Sequence, residues 1–137
     1  MDAGLTVGAT SGPVVGVGID LVDIDRIRDL LARRPRFAQQ HFTVAERAWC
    51  DRRRDPAERY AARFAAKEAV LKALGVGLGA ARLADLEVVT AASGAPGVVL
   101  HGTAVDLATD RGVAGWHLSL SHSRTLATAV AVAVGHG

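Results

Sequence analysis

Cysteine, aromatic residues and long apolar runs are all scarce in this chain of 137 residues, and each scarcity excludes something. A single cysteine, Cys50, rules out an internal disulfide and fits a reducing compartment. The longest apolar stretch, Ala129–Val134, is far too short to cross a bilayer as a helix. The opening MDAGLTVGATSGP carries no base and no long apolar core, so it does not read as a secretory signal. The expected location is cytoplasmic. Aromatics make up only 4% of residues, so the core must be built from Ala, Val and Leu. Such residues fill space poorly but let elements approach closely, and burial against a second subunit would help them.

What is present points to a folded protein. Half the residues are apolar and 22% are charged, which excludes disorder as the main state. The length suits one domain, and a chain of this size buries roughly 68% of its unfolded surface. Residues 1–13 read as a flexible start and 14–137 as a single domain. A domain this small that carries chemistry often completes its site at a subunit interface. Charge is uneven: residues 26–72 hold 13 bases against 6 acids, while the flanking segments are net acidic. A basic middle third predicts an anionic partner, whether nucleic acid, phosphate ligand or acidic protein. A solvated arginine face is the plainer reading.

The coarse pattern is strand, helices, then strands. Val14–Asp20 is a β-branched run ending in an acid. Asp23 can cap a helix carrying Ile24, Ile27, Leu30 and Leu31 at helical spacing, ended by Pro35. Thr43 and Glu46 form a capping box for a second helix. Asp55-Pro56 opens a third, running to about Leu74 with Gly75 as its C-terminal cap. Leu86–Val89, Val98–His101, His117–Ser121 and Thr125–Val134 read as strands, with a short helix at Thr103–Asp110. This order predicts an α+β fold: a small antiparallel sheet packed with helices, one of them long. Both faces of Ala127–Val134 are apolar, so it should be a buried strand.

The long helix carries charges where none belong. At about 100° per residue, Tyr60, Phe64, Val70, Leu71 and Leu74 form one stripe, and Lys67 falls in its middle. Glu68 lies on one edge with Lys72 a turn further on, and Arg63 lies on the other edge. The plain reading is a snorkelling Lys67 and an i,i+4 Glu68–Lys72 pair. Asp20 shifts the balance, because Asp23 already serves as the cap. Two isolated carboxylates, Asp20 and Glu68, beside lysines are what a Mg²⁺–phosphate site needs. Gly75, Gly77 and Gly79 can present backbone N–H groups to a phosphate, or simply form a turn. In His117–Ser123 the Ser119, Ser121 and His117 side chains share one face and His122 takes the other. No G-x-S-x-G elbow is present and Ser121 and His122 point apart, which argues against a Ser/His hydrolase.

Together, GVGIDLVDIDRI (16–27), RFAAKEAVLKALGVGLG (63–79) and HLSLSHS (117–123) resemble the signatures of the holo-acyl-carrier-protein synthases, the short single-domain 4′-phosphopantetheinyl transferases. The resemblance covers nearly everything after the first dozen residues. It implies Mg²⁺-dependent transfer of the phosphopantetheine arm of coenzyme A to a serine of an acyl carrier protein of fatty-acid or polyketide synthesis, with adenosine 3′,5′-bisphosphate as the other product. It implies that Asp20 and Glu68 bind Mg²⁺, and that Lys72 contacts the pyrophosphate, these three being the catalytic residues. Arg63 and Lys67 would serve anionic groups of the nucleotide. Gly75, Gly77 and Gly79 would let backbone approach the coenzyme, with Ser119, Ser121 and His122 near its nucleotide end. Longer relatives carry a third metal carboxylate two residues after the first; that position is Val22 here, so two protein ligands are expected. Ser123 stands where some relatives have an acid, which leaves a metal-bound water as the first choice to take the serine proton. Acyl carrier proteins are acidic, so Arg26, Arg28, Arg33, Arg34 and Arg36 are the expected carrier contacts, with Phe37 as an apolar anchor. The resemblance also implies a homotrimer with the site between subunits. Two other classes fit the sequence less well. A nucleic-acid module lacks a stacking platform and a reader motif. A non-catalytic coenzyme-binding scaffold leaves the Asp20/Glu68 pair unexplained.

Overall fold

The computed structural model describes residues 12–137. The flexible start expected for 1–13 therefore lies almost wholly outside the described residues. Element order is β1 (Val14–Asp23), α1 (Ile24–Arg33), α2 (Phe37–His41), α3 (Val44–Cys50), α4 (Ala57–Ala73), β2 (Leu86–Thr90), β3 (Pro96–Leu100), α5 (Thr103–Asp110), β4 (Gly115–His122) and β5 (Leu126–Val134). A single 3₁₀ turn, Leu83–Asp85, precedes β2. The fold is α+β, with an antiparallel three-stranded sheet in the order β1-β5-β4 and a separate β2-β3 hairpin.

Local chemistry explains the boundaries. The Asp23 side chain accepts from Asp25 N–H and caps α1. Thr43 and Glu46 close a reciprocal capping box at the start of α3. Helix α4 ends in a Schellman motif: Gly75 has φ 75°, its N–H donates to the Lys72 carbonyl, and Val76 N–H donates to the Leu71 carbonyl. Strand β1 runs three residues past the apolar run, because its pairing with β5 continues to Asp23↔Leu126. Asp20 is thus inside the strand, opposite Ala129, rather than at its end.

The scarcity of aromatics has a use. Helix α4 lies on the inner face of the three-stranded sheet, over the fully buried Ala127, Ala129, Ala131 and Ala133. Gly16 and Gly18 complete that surface. A Cβ on either would sit 1.9 Å from the carbonyl oxygen of Ala73 or Ala69. Only glycine lets β1 pass this close to the helix. The other side of α4 packs on an aromatic group in which Phe37 stacks edge-on against Phe42, and Phe42 against Tyr60.

The outer face of the sheet is different. Val17, Ile19 and Leu21 are 59–62% exposed there, beside the partly exposed Val130 and Val132 of β5. The strand expected to be buried on both faces is covered on one only.

Candidate active site

Strand β1 and helix α4 bring Asp20, Glu68 and Lys72 together. The Lys72 ammonium crosses to β1, donating to Asp20 Oδ1 and to the Ile19 carbonyl, each at 3.0 Å. Thr128 Oγ1 donates to the Asp20 carbonyl at 2.8 Å, which fixes the strand at this point. The remaining oxygen, Asp20 Oδ2, is buried and has no donor. Burial and the facing Asp20 carboxyl push the Glu68 carboxyl up to about 7, against the pull of Lys72 and Arg26. Two carboxylates with one counter-charge between them are short of positive charge. The open Asp20 oxygen and the strained Glu68 carboxyl together fit a hard divalent cation, which takes oxygen ligands. Among the described residues there is no group of three or more His, Cys, Asp or Glu placed to hold a metal. Val22, two residues beyond Asp20, is a buried core residue.

The other expected site residues separate into groups. Gly75 and Gly79 have positive φ, which accounts for glycine at those two positions. Gly77 does not, and a Cβ there would meet nothing within 4 Å, so no contact inside the chain requires glycine. Ser119 and Ser121 lie on the exposed outer face of the sheet, paired with Val130 and Thr128. His122 sits on the inner side at the sheet's edge, with Nε2 3.8 Å from Glu58 Oε1 near the start of α4. Glu58 lies ten residues before Glu68, about 15 Å along the helix. One chain therefore does not bring Ser119, Ser121 or His122 to the Asp20–Glu68 pair. Arg63 is almost fully buried, with its guanidinium donating to Thr90 Oγ1 at 2.8 Å and lying over Trp49. Its Nε has no partner. Arg63 opens on a cavity of about 240 Å³ between α3 and β2. Burial lowers its pKa.

Two expectations are corrected. Lys67 is not available to a nucleotide and does not snorkel. It is fully buried, and its ammonium donates to Glu46 Oε1 (2.8 Å) and to the carbonyls of Leu83 (2.7 Å) and Leu86 (2.9 Å). Those three acceptors use all its protons. Phe37 is not a projecting anchor; it is 8% exposed and packed against Phe42, Phe64 and His41.

Phe37 instead forms part of a cleft of about 750 Å³, whose lining includes Arg26, Leu30, Phe64, Leu78 and Leu83. Arg33, Arg34 and Arg36 edge a neighbouring groove that shares Phe37 and His41. Arg28 is engaged within the chain, pairing with Asp25 and, at 2.6 Å, with Asp55. Sequence reasoning did not find Glu46 as the partner of Lys67, nor that the Arg26 charge is felt at Glu68. The available signal was the charge on an apolar stripe, which required some buried partner.

Asp20 on β1 and Glu68 on α4 thus face one another, with the Lys72 ammonium bound to Asp20. The 4′-phosphopantetheinyl transferase superfamily matches residues 16–131, and the chain belongs to it. A holo-[acyl-carrier-protein] synthase of Anaeromyxobacter dehalogenans is 48% identical over 90% of this chain and 98% of its own. At that identity and coverage the chain sits among the holo-[acyl-carrier-protein] synthases of the superfamily and is an enzyme, a phosphopantetheinyl transferase. The crystal structure of the Plasmodium yoelii holo-ACP-synthase covers 93% of this chain and all of its own, with a TM-score of 0.83 at 28% identity. The Helicobacter pylori synthase, solved in complex with coenzyme A, covers 85% of this chain and 98% of its own, with a TM-score of 0.75 at 28% identity.

Proposed function

We propose that this enzyme moves the 4′-phosphopantetheine arm of coenzyme A onto a serine of an apo acyl carrier protein, in a Mg²⁺-dependent reaction that releases adenosine 3′,5′-bisphosphate. The observation that carries the reading is the Asp20–Glu68–Lys72 cluster, with one buried carboxylate oxygen left open. Asp20 and Glu68 would hold the ion. When bound, the ion supplies positive charge beside the pyrophosphate. Lys72 is half-exposed on a long flexible stem, so its ammonium can turn from Asp20 to a phosphate oxygen. There it stabilises charge growing on the leaving group as the serine oxygen–phosphorus bond forms and the bond to the nucleotide breaks. Gly77, with no steric need for glycine inside the chain, leaves room for backbone to approach the coenzyme; Gly75 and Gly79 shape the same turn.

The nucleotide end falls to Arg63, Ser119, Ser121 and His122. The two serines and His122 lie away from Asp20 and Glu68 within one chain, which favours a site shared between copies. The exposed stripe of Val17, Ile19 and Leu21 favours the same arrangement, since a monomer rarely leaves such a patch open. We therefore assign a homotrimer with the active site between subunits, packed through the outer sheet face that also carries Ser119 and Ser121.

The carrier's acidic surface docks at the basic cleft. Arg26 lines the cleft and its charge is felt at Glu68, which supports delivery of the serine along the cleft. Arg33, Arg34 and Arg36 extend the basic rim, and Leu30, Phe37 and Phe64 give it an apolar floor. Arg28 joins the docking only by releasing Asp55. The location is cytoplasmic, in keeping with one buried free cysteine.

The deciding experiment incubates the protein with coenzyme A, Mg²⁺ and a panel of apo carriers from fatty-acid and polyketide synthesis. A carrier mass gain of one phosphopantetheine, equimolar adenosine 3′,5′-bisphosphate and loss of both on chelation are expected. No gain with any carrier would sink the reading. Light scattering reads the assembly: a fully active monomer would refute the shared site.

A further inference from the structure

The charges that this chemistry leaves unused are the buried pair Lys67 and Glu46. Both side chains are wholly shielded from solvent. Besides Lys67, Glu46 accepts from Thr43 N–H on Oε1 and from Val88 N–H on Oε2, each at 2.9 Å. Burial pulls the Lys67 pKa down, and Glu46 pulls it back. Apolar residues of similar volume would fill this space without the cost of desolvating two ions. An apolar side chain cannot, however, hold two carbonyl oxygens.

Those carbonyls belong to Leu83, the first residue of the 3₁₀ turn, and to Leu86, the residue that follows it. Leu78, Arg82 and Leu83 form one wall of the 750 Å³ cleft. Little else packs on the turn that leads into that wall: a Cβ at Gly75, Gly77 or Gly79 would meet nothing within 4 Å. Leu78 is itself 64% exposed. The wall is fastened to α4 by the Lys67 ammonium, while Glu46 ties the same ammonium to α3 and β2.

We infer that Lys67 is a positioning residue for carrier docking: its ammonium, held by Glu46, fixes the 78–86 wall of the cleft through the Leu83 and Leu86 carbonyls. This rests on the reading of the cleft as the carrier's surface. It assigns Lys67 an effect on carrier affinity and none on the transfer step.

The test uses the full-length double variant Glu46→Gln/Lys67→Met, which keeps the volumes and leaves no lone buried charge. Amide hydrogen exchange should quicken about tenfold or more across 78–86 while α4 and β5 keep their protection. The KM for the apo carrier should rise about fivefold or more, with kcat and the KM for coenzyme A within about twofold of the parent. Unchanged exchange across 78–86, or an unchanged carrier KM, would overturn the inference. So would uniform loosening of the whole chain with kcat falling alone, which marks a merely structural pair. If the parent protein transfers nothing, the docking role falls with the function beneath it. Exchange confined to 78–86 would still establish that Lys67 fixes the wall, so the two failures stay distinguishable.

Discussion

Lys67 and Lys72 lie five residues apart on the same helix and meet opposite surroundings. Lys67 is sealed between α4, α3 and β2, with three protein acceptors and no solvent. Lys72 is half-exposed, leans on a single carboxylate and a carbonyl, and borders an oxygen that has no donor. A saturated charge has nothing left to offer a ligand. An undersaturated one does. Residue type and helix phase do not separate these two lysines; the completeness of their partners does.

The comparison predicts that the two positions fail in different ways, and the largest effect belongs to Lys67. Lys67→Ala leaves Glu46 buried without a counter-charge, which costs about 3–5 kcal/mol. Denaturant unfolding should show most of the stability gone. Lys72→Ala should cost less, about 1 kcal/mol, because the ammonium is half-exposed and water can reach the Asp20 oxygen that it leaves. A similar loss at both positions would break the distinction drawn between them.

Lys72 should fail in rate instead. On the proposed reading Lys72, and the ion that Asp20 and Glu68 would hold, supply the positive charge at the phosphorus, so Lys72→Ala, Asp20→Ala and Glu68→Ala should each lower phosphopantetheine transfer about 10²-fold or more. Circular dichroism and the unfolding midpoint should stay near the parent's. Carrier mass spectrometry at fixed time reads the loss.

Much of this architecture was legible in the sequence, and the illegible parts have a common cause. The capping box at Thr43–Glu46, the cap at Asp23 and the glycine stop at Gly75 are local chemistry, readable over a few residues, and each is present. The α+β order followed from the same local signals. Lys67 was legible only as a misfit: a charge on an apolar stripe says that a partner exists, not that it lies 21 residues upstream. Phe37 reads as an apolar anchor among the arginines expected to meet the carrier, yet α2 turns it inward onto Phe42 and Phe64. The length of β1 escaped for the same reason, since pairing with a strand more than a hundred residues away sets it. What depends on long-range partners has no signature at short range.

The opposite face of α4 gives a control that involves no charge. Gly18→Ala would place a Cβ 1.9 Å from the Ala69 carbonyl oxygen, so helix and strand must part. Overpacking of this kind costs about 1–3 kcal/mol. Because Asp20 and Glu68 sit across this seam, the variant should also lose transfer at temperatures where it remains folded. Thermal melts alongside activity would show it. A stable variant with reduced transfer would sharpen the view that the seam sets the carboxylate spacing.

The smallest effect is one of pH, and it again separates the two ends of the helix. The Glu68 carboxyl is held near 7 in the fold by burial and by Asp20, against an ordinary value of 4.5. Between those limits the folded chain binds a proton that the unfolded chain does not. Stability should therefore be greatest below about pH 4.5 as far as this group is concerned, and fall as pH rises to about 7. Glu68 is partly open to solvent, so the loss is a fraction of what the full shift implies. Asp55 works in the other direction and another window: Arg28 holds its pKa below 3.8, so its contribution is lost only in stronger acid. Melting the metal-free protein in EDTA from pH 5 to 8 should show the decline. Glu68→Gln should flatten it, since the amide cannot titrate. Mg²⁺ at pH 8 should restore the melting temperature in the parent and not in Glu68→Gln. A parent whose melting temperature is level across this range, with or without Mg²⁺, would mean that Asp20 and Glu68 do not share a field, and the contrast between a saturated and an open charge on α4 would lose its second half.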